Sequence, residues 1–510
     1  MTATLAALLA DKDGASKALG APGRDWMTFG DLRALSADVA ASLRRFGIGA
    51  ADRVAIVLPN GPEMAAAFVT IAQAAVTAPL NPAYTRDEYS FYLDDLNAKA
   101  LVVPEGYDGP ALAAAEPLGL AILRLHPVAG GPAGQFRLTG TLAVQPAPAG
   151  LPGPDATALI LHTSGTTSRP KIVPLLQSNL VASARNIGAS LALTSADRCL
   201  NVMPLFHIHG LIAAVSASLA AGASVWCAPG FDALKFFGWM GEAKPTWYTA
   251  VPTMHQAILS RAGRNAEVIA AHPLRFLRSS SASLPAQVML ELQATFNAPV
   301  IEAYGMTEAT HQMACNPLPP RAQKPGSVGV AAGPLLRIAH EVENRLIEGT
   351  GEVVISGANV TPGYESNPDA NAKNFFQAEG LRWFRTGDQG ALDAEGYLSL
   401  TGRLKEIINR GGEKISPLEV DGVLLDHPAV QQVVAFAMPH PKLGEEVAAA
   451  VVLREGQTAT EREIRDFAAS RMADFKVPRR VIILEEIPKG ATGKLQRIGL
   501  AEKLGLGQPA

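Results

Sequence analysis

A chain of 510 residues with 48% hydrophobic and 18% charged residues holds more apolar material than one core usually takes, and far too much for a disordered polymer. A net charge of −3 offers no basic surface for nucleic acid or an anionic membrane, and the three cysteines are too few and scattered for a disulfide framework or metal cluster. These bounds predict a multidomain globular protein with ordinary thiols in the cytoplasm.

The first ten residues are apolar but lack a basic start, and Asp11-Lys12-Asp13 stops them early, so they predict a short helix rather than a signal peptide. Residues 53–58 form a strand pattern, broken by Pro59-Asn60-Gly61-Pro62, and residues 63–75 follow as a helix. The stretch 105–154 is rich in Pro, Gly and Ala and is expected to cover the surface between two sub-lobes. Residues 156–161 predict a strand, followed by a hydroxyl-rich loop and a helix from Asn179. The small-residue run 211–223 falls short of the ~18–20 apolar residues that span a bilayer. This alternation implies α/β layers with largely parallel sheets.

Residues 390–401 predict a hairpin around Asp393-Ala394-Glu395-Gly396, and a boundary falls near Arg403-Leu404-Lys405. The expected division is a large domain over 1–402, a hinge over 403–408 and a small α+β domain over 409–510. The last part has its own alternation: a helix around Glu419, strands at 433–437 and 447–452, a helix at 461–473 and a strand at 481–484. Gln508-Pro509-Ala510 is no peroxisomal address.

Two segments look built for phosphate. Thr163-Ser164-Gly165-Thr166-Thr167-Ser168-Arg169-Pro170-Lys171 places five hydroxyls, one glycine and two cations in nine residues. Glycine permits close backbone approach, and hydroxyls with exposed N–H groups hold oxyanions. It is not a Walker A loop, because Pro170 replaces the second glycine and Ile172 the final Ser/Thr. Near the C-terminus, Pro488-Lys489-Gly490-Ala491-Thr492-Gly493-Lys494 ends in a Gly-Lys turn. Between them, Tyr304-Gly305-Met306-Thr307-Glu308 combines an aromatic, a hydroxyl and a carboxylate. Singly, each has a plain structural reading: a polar loop, a turn beside a core aromatic, an exposed lysine.

With Pro204-Leu205-Phe206-His207, Ser279-Ser280-Ser281-Ala282-Ser283, Thr386-Gly387-Asp388 and Thr401-Gly402-Arg403-Leu404-Lys405, these make seven segments whose order resembles the adenylate-forming superfamily of acyl-CoA synthetases, adenylation domains and luciferases. The resemblance implies ATP, Mg²⁺ and coenzyme A as partners, and a C-terminal domain that moves about its hinge. Thr163, Ser164, Gly165, Thr166, Thr167 and Lys171 would hold the ATP β- and γ-phosphates. Ala282 and Ser283, with Glu302 and Ala303, would border the adenine, on which Tyr304 would stack. Thr307 would donate to the α-phosphate, Glu308 would hold Mg²⁺, and Asp388 of Thr386-Gly387-Asp388 would accept from the ribose. Arg403 would sit near the nucleotide, with Lys405 at the pivot. Gly411 and Gly412 would line the entry for the pantetheine arm. Lys494 would bridge the attacking carboxylate and the α-phosphate. Ile172 departs from the family, which usually has Gly there.

For the acid, the lining expected from the resemblance is polar: His207, His209, Ser280, Ser281, His311 and Gln312. Three segments, residues 161–171, 247–253 and 308–311, resemble the oxalate–CoA ligase branch, which implies that Ser281 and His311 hold the second carboxylate, while the superfamily resemblance implies that His207 lines the acyl pocket. Malonate, glycolate or another short acid fits the same polarity, and an aryl acid fits less well. An adenylating enzyme that loads a carrier protein, or a non-catalytic nucleotide-binding protein, are the competing classes.

Overall fold

The structure is a computed structural model that describes residues 3–163, 170–488 and 495–507. Four sheets organise it. A seven-stranded sheet runs, in spatial order, Phe136–Thr139, Ala121–Pro127, Ala100–Pro104, Arg53–Ile56, Val76–Pro79, Thr157–Thr163 and Lys171–Leu176, parallel inside and antiparallel at both edges. A nine-stranded sheet has the same character. Its parallel centre includes Arg198–Asn201, Trp247–Ala250, Phe276–Ser280 and Val300–Met306, and antiparallel His311–Cys315 follows at one side. One apolar cluster, with Val54 and Leu159 from the first sheet and Val225 and Phe276 from the second, unites the two. Parallel strands buried on both faces read as the near-continuous apolar runs of the sequence.

The expected short N-terminal helix is Leu5–Ala10, capped by the Thr4 hydroxyl, which accepts from Ala7 N. Two expectations are corrected. Residues 105–154 are not a featureless cover, since they carry a helix, Pro110–Ala115, and two strands that extend the seven-stranded sheet. The alternating burial of Phe136–Thr139 is a clear strand signal hidden among prolines and glycines. The hydroxyl-rich segment does not link a strand to a helix. It joins antiparallel strands Thr157–Thr163 and Lys171–Leu176, and the helix Gln177–Ser190 comes only afterwards. Pro174 hid the second strand, but that strand lies at the sheet edge, where a missing N–H is tolerated.

The third sheet is antiparallel, unlike the parallel pattern expected for the large domain, and contains the predicted hairpin as Leu381–Leu392 paired with Leu398–Arg403. The fourth consists of strands between Ile408 and Ile483 and has its own apolar cores. Its helix Glu461–Ala469 starts where the Thr460 hydroxyl accepts from Glu463 N and the Glu463 carboxylate accepts from Thr460 N. Among the described residues no helix is long and apolar enough to cross a membrane.

Candidate active site

Ligands of open α/β sheets bind beyond the carboxyl ends of parallel strands. In the nine-stranded sheet those ends lead to His207, Ser281 and Thr307, after strands Arg198–Asn201, Phe276–Ser280 and Val300–Met306. The sheet topology therefore brings together groups about 100 residues apart in the chain.

On the phosphate side, Thr163 and Lys171 are the last paired residues of the hairpin. Ser164, Gly165, Thr166 and Thr167 lie outside the described residues. The Lys171 ammonium sits 4.2 Å from the centroid of the Tyr364 ring, a cation–π contact. The Tyr364 hydroxyl donates to Glu308 Oε1 at 2.8 Å, and Glu308 is buried. Burial lowers the Lys171 pKa, opposed by the Glu308 charge, and raises the Tyr364 pKa, with Glu308 adding to the rise. Tyr364 escaped the sequence reading because a lone Gly-Tyr pair signals nothing beyond a turn.

On the nucleotide side, the buried Tyr304 hydroxyl donates to Asp388 Oδ2, and Arg403 Nε lies 3.4 Å from Asp388 Oδ1. Asp388 and Arg403 are cross-strand partners, so the hairpin register creates this pair. Asp388 N donates to the Thr386 hydroxyl and Gly387 N to Glu352 Oε1, at the point where the register of strand Leu381–Leu392 shifts against Thr350–Ser356. Ala282 and Ser283 are exposed, whereas Glu302 and Ala303 are buried in the sheet. The Glu302 carboxyl does not face outward; it accepts from Leu284 N at 2.8 Å and ties down the loop after Ser281.

Burial pushes the Glu302 carboxyl up to about 8. The folded state therefore retains a proton that the unfolded chain, with an ordinary carboxyl near 4.5, releases. This contribution to stability is complete below the unfolded value and is lost as pH rises through the folded one. Glu302→Gln keeps the acceptor for Leu284 N but cannot ionise. Its melting temperature, measured without nucleotide, is expected to fall less steeply between acidic and alkaline pH than that of the parent protein. Parallel curves would refute the assignment.

On the acid side, His209 opens a π-helix, His209–Ser216, a rare form that recurs at functional sites. His209 Nδ1 is 3.0 Å from the Ser281 hydroxyl and Nε2 is 2.6 Å from the Thr249 hydroxyl. The rings of His209 and His311 are 5.0 Å apart. His207 lies beside them, its Nδ1 accepting from His209 N. Ser281, Thr310 and His311 have φ of 76°, 49° and 96°, so three non-glycine residues here occupy the left-handed half of φ space. Such strain gathers at functional sites. Gly305 makes this packing possible, because a Cβ there would come within 2.0 Å of the His311 carbonyl oxygen.

Ser280, expected in the lining, instead donates to the Ala303 carbonyl inside the sheet. Gln312 is also fully buried, behind the histidines. Arg278 and Thr249 complete the cluster and were missed as site residues. Residues 274–278 hold two arginines, Arg275 and Arg278, and nothing local separates the buried one from the one that pairs with Asp197.

In the C-terminal part, Gly411 and Gly412 occupy the two-residue turn between Ile408–Arg410 and Glu413–Ile415, at φ of 59° and 99°. A type I′ turn needs positive φ at both positions, so the turn itself accounts for both glycines. Lys405 lies between strands Leu398–Arg403 and Ile408–Arg410, in a segment where Ile407 N donates to the Arg403 carbonyl. Lys494 lies outside the described residues.

Two family patterns match: AMP-binding enzyme over residues 10–365 and AMP-binding enzyme C-terminal domain over residues 419–494. The chain is 46% identical to an oxalate–CoA ligase of Arabidopsis thaliana, covering 94% of each chain. It is 42% identical to an oxalate–CoA ligase of Saccharomyces cerevisiae, over 88% of this chain and 86% of that one. A sulfoacetate–CoA ligase of Cupriavidus necator is 35% identical, over 93% and 92%. Among solved structures, ATP-bound MatB from Rhodopseudomonas palustris superposes with a TM-score of 0.87 at 30% identity, covering 99% of both chains. The chain belongs to the AMP-binding enzymes and carries both their large domain and their C-terminal domain.

Proposed function

We propose that this enzyme is an ATP-dependent acid–thiol ligase that activates oxalate. The carboxylate attacks the α-phosphorus of ATP, giving an acyl adenylate and pyrophosphate. The thiol of coenzyme A then displaces AMP and forms oxalyl-CoA. A carboxylate is a weak nucleophile and ATP is strongly anionic, so such phosphorus chemistry rests on positioning and charge stabilisation. Lys171 and the hydroxyl-rich loop hold the departing phosphates, Tyr304 packs on the adenine, and Asp388 and Arg403 face the ribose. Thr307 donates to the α-phosphate, and Lys494 neutralises charge between it and the attacking oxygen.

Mg²⁺ suits Glu308. Among the described residues no three His, Cys, Asp or Glu groups are gathered for a metal, and Mg²⁺ is ordinarily held by one or two carboxylates with substrate phosphates. When bound it supplies charge neutralisation to the phosphates. We assign residues 403–408, with Lys405, as the hinge that withdraws the domain beyond it so that the thiol enters past Gly411 and Gly412. Three free, buried cysteines suit a reducing compartment such as the cytoplasm.

The observation that carries the choice of acid is the polar cluster of Ser281, His209 and His311. An apolar or aryl acid would leave its donors unpaired, whereas a second carboxylate would use them. The named relatives fit this reading, since oxalate and sulfoacetate both carry a second anionic group. The test is a thioester-trapping panel with oxalate, malonate, glycolate, acetate and coumarate, with and without coenzyme A. Turnover is expected with oxalate and to require coenzyme A. Preference for coumarate or acetate would overturn the acid assignment.

A further inference from the structure

Arg278 is fully buried in strand Phe276–Ser280, yet its side-chain partners are all neutral or weakly polar groups. Nη1 lies 3.4 Å from His209 Nε2 and 3.5 Å from the Thr249 hydroxyl, and Nη2 donates to Gln312 Oε1 at 3.2 Å. Its Nε has no hydrogen-bond partner, and no carboxylate is within ion-pair range among the described residues. The thiols of Cys315 and Cys199 favour the charged guanidinium, while burial lowers its proton affinity. An uncompensated buried cation is costly and is kept where something uses it.

The direction of the hydrogen bonds around it is constrained. A guanidinium only donates, so its 3.4 Å contact with His209 Nε2 is a hydrogen bond only in the tautomer that presents a lone pair there. The Thr249 hydroxyl, 2.6 Å from the same nitrogen, then donates to it as well. The imidazole proton is left on Nδ1, which donates to the Ser281 oxygen at 3.0 Å. Ser281 is thereby left with its own hydroxyl proton to give. Gln312 follows the same order: its oxygen faces Arg278 and its Nε2 donates to the Ser190 hydroxyl and the Ala332 carbonyl.

We propose that Arg278 is a positioning residue for acid specificity: through Thr249 and His209 it orients Ser281 as a donor, and its buried charge is balanced by the second carboxylate of the bound acid. The inference deepens the oxalate assignment and rests on it. An acid with one carboxylate satisfies neither the donor nor the charge.

The test compares the full-length parent enzyme with Arg278→Gln, Arg278→Lys and Thr249→Val. Arg278→Gln is expected to raise the KM for oxalate about tenfold or more, the scale of leaving buried polar groups unpaired, with the KM for ATP unchanged. Arg278→Lys recovers part of the loss. In protein labelled with ¹⁵N-histidine, the His209 resonances, identified by their loss in His209→Asn, are expected to show the Nδ1–H tautomer in the parent and a mixture in Arg278→Gln. If Arg278→Gln does not fold, Thr249→Val decides, with the same oxalate effect expected. An unchanged oxalate KM in the folded variant, or an Nε2–H tautomer in the parent, overturns the proposal. If the parent does not turn over oxalate, the acid assignment fails, while the tautomer measurement still reports on the donor chain.

Discussion

Lys494→Ala is expected to lower the rate of adenylate formation by roughly 10²–10³, the usual effect of removing one preorganised charge-stabilising donor. Thioester formation from preformed acyl-AMP should be largely unaffected. The lysine lies outside the described residues, but both flanks of its segment are anchored in the C-terminal domain. Ile487 is fully buried there, and the Arg497 guanidinium donates to the Ala435 carbonyl at 2.7 Å and pairs with Asp421. Pyrophosphate exchange and single-turnover transfer, measured separately, check the division. Equal loss in both would show that the lysine supports the site as a whole.

Glu308→Gln is expected to reduce adenylation by a similar factor, about 10²–10³, and to raise the Mg²⁺ concentration needed for half-maximal rate. The amide oxygen can still accept from the Tyr364 hydroxyl, so the local fold is retained and the change isolates the charge. Lys171, left beside Tyr364 without its neighbouring anion, loses the influence that opposes its burial. Rate against Mg²⁺ concentration measures the effect. An unaltered Mg²⁺ response would remove Glu308 from the metal's coordination and leave it a purely structural partner of Tyr364.

The residues proposed to face the nucleotide stand out in the sequence because each sits in a short contiguous motif whose chemistry is local. Tyr304, Thr307 and Glu308 fall within five residues, and Thr386-Gly387-Asp388 is a single tripeptide. The C-terminal elements were legible for a similar reason. Residues 433–437 and 447–452 are short continuous apolar runs, and the Thr460–Glu463 capping box marks its own helix start. Hidden by contrast were the strand after the hydroxyl loop, masked by Pro174, and the strands within 105–154, masked by their breakers.

Residue order alone decided the family, the order of the motifs and the chemistry each motif can offer, since those depend on neighbours a few positions apart. Tertiary structure decided which groups meet in one cluster. Arg278, Thr249, His209 and Ser281 come from separate elements, and only the parallel register of the central sheet and the π-helix beside it bring them within hydrogen-bond reach. Tyr364 reaches Glu308 across 56 residues in the same way. Contacts of this kind arise from sheet pairing and packing of distant segments, and a side chain's neighbours along the chain carry no record of them.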